Sequence, residues 1–138
     1  MMTRRLAVTA AWIGALFFAV GGLWALLAPH AFFEVAARYP PYNRHLFHDV
    51  GAFQLGLAAA LLAGILGRSG LAVALWAAAV ATSAHAVSHW IDADHGGRST
   101  DPVILTVLAL LVVAGLVAAE THRARVTRSG SSWPEPAA

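Results

Sequence analysis

Residues 46–91 read LFHDVGAFQLGLAAALLAGIL, GRSG, LAVALWAAAVATSAHAVSHWI. The two apolar runs, Leu46–Leu66 and Leu71–Ile91, flank the break Gly67-Arg68-Ser69-Gly70. Each run is close to the roughly 20 residues that an α-helix needs to cross a bilayer. A short break bounded by glycines is a tight turn, so the two helices return as antiparallel neighbours. Outward from this hairpin, Leu6 to Ala28 carries no charge and stops at Pro29. A secretory signal has a shorter apolar core, about 7–15 residues, so this run reads as a retained span. A fourth run, Pro102 to Ala119, opens with Thr100 or Asp101 as N-cap and proline at the first helical position. The expected fold is an all-α bundle of four transmembrane helices, at about 6–28, 46–66, 71–91 and 102–119. Residues 1–122 form the membrane domain, and 123–138 are expected to be a disordered cytoplasmic tail.

Composition supports this class. The chain has 138 residues, 59% hydrophobic and 12% charged, with mean hydropathy +0.66. A soluble domain carries roughly 25% charged residues. There is no cysteine, which excludes disulfides, thiolate ligands and thiol catalysis, and no lysine, which excludes Schiff-base chemistry. The net charge is +2 and the arginines gather at the ends, so no nucleic-acid partner is expected; the lipid bilayer is. Arg4, Arg5, Arg68, Arg123, Arg125 and Arg128 fall on one side of the alternating spans, against Arg38, Arg44 and Arg98 diluted over longer loops. The positive-inside rule then puts both termini in the cytoplasm of a multi-pass plasma-membrane protein. In the first outer loop, Ala31–Arg38 fits a short interfacial helix, with Phe32, Phe33 and Val35 in lipid and Pro40-Pro41 ending it.

Titratable groups at membrane depth are costly and mark candidate sites. At 100° per residue, His45, His48 and Asp49 share a face with Ala52, Gly56, Ala59 and Ala63, while Gln54 points away. In the next span His85, Ser88, His89 and Asp92 share a face with Ala74, Ala78, Ala81 and Thr82. Small residues let membrane helices approach closely, so these stripes are expected to pack together and bring the polar ends into contact near the outer surface. His85 and His89 have the i, i+4 spacing of zinc helices, without the adjacent glutamate of HExxH. With His48, Asp49 and Asp92 they make a candidate site for a divalent metal ion, suiting zinc, iron or copper(II). Asp92 is alternatively an outer partner that fixes an imidazole tautomer. Haem ligated by one histidine from each of two helices, and quinone-linked redox chemistry, are further readings. The plain alternative is a hydrogen-bond network that fixes helix register in a non-catalytic accessory subunit or structural protein. No GxSxG motif and no phosphate-binding glycine loop occurs, which argues against a hydrolase. The polar groups also lie far from the midplane where transporter sites are built.

The run Tyr39-Pro40-Pro41-Tyr42-Asn43-Arg44-His45-Leu46-Phe47-His48-Asp49-Val50-Gly51-Ala52-Phe53-Gln54-Leu55-Gly56, followed by Ala84-His85-Ala86-Val87-Ser88-His89, resembles a group of small actinobacterial four-helix integral membrane proteins. The layout, with proline after the first span and a longer first outer loop, is similar to the DoxX-like superfamily. That resemblance implies a four-helix membrane fold and, by way of members associated with quinone-linked oxidoreductases, a redox setting with a membrane-protein partner or a homo-oligomer. It transfers no catalytic residue.

Overall fold

The computed structural model describes residues 2–67 and 70–130. Helices α1 (Met2–Leu27), α2 (Pro29–Val35), α3 (Arg44–Leu66), α4 (Leu71–Ile91) and α5 (Asp101–Gly130) follow one another. Of these, α1, α3, α4 and α5 are long and apolar enough to cross a membrane, and no strand occurs among the described residues.

Local chemistry sets the helix ends. Pro29 cannot donate to the α1 ladder, so α1 stops at Leu27 and the proline opens α2. The Asn43 side chain caps α3, accepting the Leu46 N–H at 3.2 Å. Pro102 sits in the first turn of α5, whose ladder starts with the Ile104 N–H on the Thr100 carbonyl at 3.0 Å. At its far end α5 runs on past Ala119 to Gly130, which corrects the expected disorder for 123–130. Polar composition ends a membrane segment but not a helix, and 120–130 contains no proline. Residues 131–138, with Arg68 and Ser69 of the expected turn, lie outside the described residues.

Around the bundle the order is α1, α3, α4, α5. Packing is broadest between α1 and α3, then α4 and α5, then α1 and α5; α3 meets α4 more sparingly. The core is rich in alanine (Ala7, Ala11, Ala15, Ala74, Ala78), with Leu61, Leu75 and Val112 as its fully buried large side chains. Glycines set the close approaches. A Cβ on Gly22 would stand 2.9 Å from the Gly51 carbonyl oxygen, and one on Gly115 would collide with Ala10. Tight helix contact replaces the missing hydrophobic drive between spans in lipid. An indole N–H ties α4 to α5 at each end: Trp90 to the Thr106 hydroxyl at 3.0 Å, and Trp76 to the Glu120 carboxylate at 3.2 Å.

The expected pairing of small stripes is corrected. Ala52, Gly56, Ala59 and Ala63 of α3 are exposed, and a Cβ on Gly56 would meet nothing within 4 Å. Helix α3 instead turns Phe47, Gly51, Ala58, Leu61 and Gly64 inward. That face buries larger side chains, and Gly14 and Gly22 of α1 make room for Leu61 and Leu55. Contact with α4 is tight at the connecting end, where Gly64 abuts Leu71 and Ala74. On α4 the expected small residues Ala74, Ala78 and Thr82 are buried.

The interfacial helix forms as α2, shorter than expected. Phe32 is buried and Phe33 partly buried. They join Trp24, Tyr42 and Phe47 in an aromatic cluster, with Phe32 edge-on to Trp24 at 5.5 Å and to Phe47 at 5.8 Å. Edge-to-face geometry of this kind adds about 0.5–1.5 kcal/mol per pair beyond burial. Val35 remains exposed.

A belt of exposed large apolar side chains surrounds the bundle, including Leu16, Val20, Phe53, Val80, Val107, Leu110 and Val117. Large apolar patches are rare on soluble monomers, and on four spans of this length and hydropathy such a belt is consistent with a lipid environment.

Candidate functional site

The end of the bundle that carries α2 and the loop before α5 gathers the polar side chains, and the structure sorts them into separate local groups. On α4, His85 and His89 project from successive turns, with ring centroids 4.7 Å apart. Ser88 does not bridge them, because its hydroxyl donates to the His85 carbonyl at 2.8 Å. On α3, His45 and Asp49 pair at 3.6 Å, both well exposed, so the Asp49 carboxylate is turned to its own helix. His48 is partly buried. Asp92 caps the C-terminus of α4, its N–H on the Ser88 carbonyl and its own carbonyl accepting from His95. Among the described residues no group of three or more His, Asp or Glu side chains stands close enough to share an ion. The structure thus joins His85 to His89, and joins Asp49 to His45. Among the described residues no third His, Asp or Glu joins either pair.

The partner that His89 does have comes from the loop between α2 and α3. The Tyr39 hydroxyl lies 3.1 Å from His89 Nδ1, and the rings meet edge to face at 5.4 Å. The phenol donates when Nδ1 is the unprotonated nitrogen of the imidazole. Tyr39 is held in turn by the loop before α5. The Gly97 N–H donates to the Arg38 carbonyl at 2.8 Å. Gly96 and Gly97 both have positive φ, 151° and 73°, which L side chains rarely adopt. A Cβ on Gly97 would stand 2.6 Å from the Tyr39 hydroxyl oxygen. Two loops and the end of α4 therefore close on one phenol. Burial, with the Asp101 and Asp92 carboxylates nearby, pushes the Tyr39 phenol above its ordinary pKa of 10.0.

Sequence reasoning missed Tyr39, Gly96 and Gly97. The available signal was the Gly-Gly pair itself, a backbone position asking for close approach. Gln54 was read as pointing away from the polar stripe. It lies over Gly21 of α1, with its Oε1 buried and without a hydrogen-bond partner.

The fold defines the class: a four-span helical membrane protein whose loops close over one end of the bundle. No family model, curated protein or solved structure matches the chain.

Proposed function

We propose that this chain is a multi-pass plasma-membrane protein with both termini cytoplasmic, acting as an accessory or scaffolding subunit whose histidine–tyrosine cluster holds the outer loops onto the bundle. The observation that carries this reading is the 3.1 Å contact between the Tyr39 hydroxyl and His89 Nδ1. It commits one imidazole of the α4 pair to a structural bond across the loop. The arginine distribution supports the orientation. The likeness to DoxX-like proteins, some of them oxidoreductase-associated, fits an accessory role beside a membrane partner or a second copy.

A second reading rests on the 4.7 Å separation of the His85 and His89 rings. Two imidazoles at i, i+4 supply a pair of metal ligands, and a divalent ion there would draw further donors from His48, Asp49 or Asp92 by side-chain movement. One experiment separates the readings. The protein is purified in detergent, its bound metals are measured by elemental analysis and its visible spectrum is recorded. The accessory reading expects a colourless, metal-free preparation that stays folded as His85→Ala. A stoichiometric metal lost in that variant overturns it in favour of the metal centre.

A further inference from the structure

Apart from the histidine pair, the outer rim holds a cavity of about 290 Å³ between α2 and the loop preceding α5. Its charged lining is Glu34, Arg38, Arg98 and Asp101. The walls are fixed. Besides the Gly97–Arg38 backbone bond, the Arg98 N–H donates to Asp101 Oδ2 at 2.8 Å, and Arg38 Nη2 donates to the Glu34 carbonyl at 3.1 Å. Ion pairs among the described residues join His30 to Glu34, His45 to Asp49, His95 to Asp94 and Arg123 to Glu120. Neither Arg38 nor Arg98 is in one, although two carboxylates line the same cavity.

Two guanidiniums without a carboxylate partner, brought from separate segments to one cavity, suit phosphate oxygens, which arginine forks grip in bidentate fashion. The carboxylates argue against a simple anion, since they would repel it. Lining charges of +2 and −2 instead complement a molecule that carries both signs. The volume corresponds to roughly ten waters at ~30 Å³ each, below the range of drug-sized pockets and enough for a small polar headgroup. The cavity also lies beyond the ends of the apolar spans, between α2 and the loop that precedes α5.

We propose that this cavity binds a phosphate diester bearing a primary ammonium, the chemistry of a phosphoethanolamine headgroup, with Arg38 and Arg98 on the phosphate and Glu34 and Asp101 toward the ammonium. The source is a membrane phospholipid or a soluble phosphoamine, and the test distinguishes them. Glycerophosphoethanolamine is titrated calorimetrically into the full chain in detergent, with inorganic phosphate as comparison. In parallel, thermal unfolding is measured in nanodiscs of phosphatidylethanolamine and of phosphatidylcholine, whose methylated ammonium cannot donate to a carboxylate. Arg98→Gln and Glu34→Gln change exposed side chains and leave the backbone bonds in place; Arg44→Gln, outside the cavity, is the control. Saturable binding of the soluble compound, weakened roughly tenfold or more by Arg98→Gln and by Glu34→Gln but not by Arg44→Gln, supports a free ligand. Stabilisation in phosphatidylethanolamine discs alone, lost in the same two variants, supports a lipid headgroup. Equal binding of inorganic phosphate with no effect of Glu34→Gln overturns the zwitterion. So does the absence of binding in both formats, which means that water alone serves the two guanidiniums.

Discussion

At the scale of single residues, Tyr39 is the side chain on which the looped end of the bundle turns. Its hydroxyl meets His89 Nδ1 at 3.1 Å in a partly buried setting. Tyr39→Phe keeps the ring packing and removes that bond, leaving an imidazole nitrogen without its donor. The expected cost is about 0.5–1.5 kcal/mol, read as a lower unfolding temperature in detergent, with faster amide exchange in the loops around Tyr39 and Gly97. Unchanged exchange in those loops would dismiss the latch. The phenol also predicts a pH effect. Its pKa in the folded protein is raised from 10.0 by burial first, then by Asp101 and Asp92. The unfolded chain therefore loses this proton at lower pH than the folded one. The latch's contribution is complete below pH 10.0 and is lost as pH climbs through the folded value. Unfolding temperature against pH should fall more steeply for the wild type than for Tyr39→Phe in that range. The α4 histidine pair was legible because i, i+4 spacing is a local property of a helix. Its partner Tyr39 was not, since it lies 50 residues away and arrives through loop conformations that two positive-φ glycines impose.

At the scale of elements, hydropathy located the spans because transfer from water to lipid depends on composition and length. It did not locate the interfaces. The computed direction of the stripe through His45, Asp49, Ala52 and Gly56 holds as geometry on one helix, but which neighbour faces that direction is decided by the whole bundle. Small size permits close packing; it does not compel it. Here Leu61 and Phe47, with more area to bury, turned the opposite face of α3 inward. A pair of glycine substitutions tests this. Gly22→Ala places a methyl 2.9 Å from the Gly51 carbonyl oxygen and forces α1 away from α3, costing about 1–3 kcal/mol as overpacking does. Gly56→Ala meets nothing within 4 Å and gains helix propensity of up to about 1 kcal/mol. Thermal unfolding in detergent should fall for the first and hold or rise for the second. A loss of comparable size at Gly56 would restore the interface expected from the sequence.

For the whole molecule, the decisive property is how charge is divided between the two ends of the apolar belt. The end that carries the loops of α2 and α5 holds Glu34, Asp49, Asp92, Asp94 and Asp101 against Arg38, Arg44 and Arg98. The opposite end holds Arg4, Arg5, Arg123, Arg125 and Arg128, while its Glu120 is already engaged by Trp76 and Arg123. Because α5 stays helical to Gly130, it carries Arg123, Arg125 and Arg128 about 5–12 Å past Glu120 at 1.5 Å per residue; in the orientation we propose, that is the zone where anionic lipid attracts cations. Moving that end across a membrane means dehydrating several guanidiniums together, which is the basis of the orientation we propose. The absence of native cysteine makes the expectation directly measurable. Asp94→Cys and Thr127→Cys each introduce a single exposed thiol, one at either end. A membrane-impermeant maleimide applied to intact cells should label Asp94→Cys and spare Thr127→Cys until the membrane is permeabilised. Labelling of Thr127→Cys in intact cells would invert the molecule. The cavity of Arg38 and Arg98 would then face the cytoplasm, and the phosphoamine it receives would have to come from the inner leaflet or the cytosol.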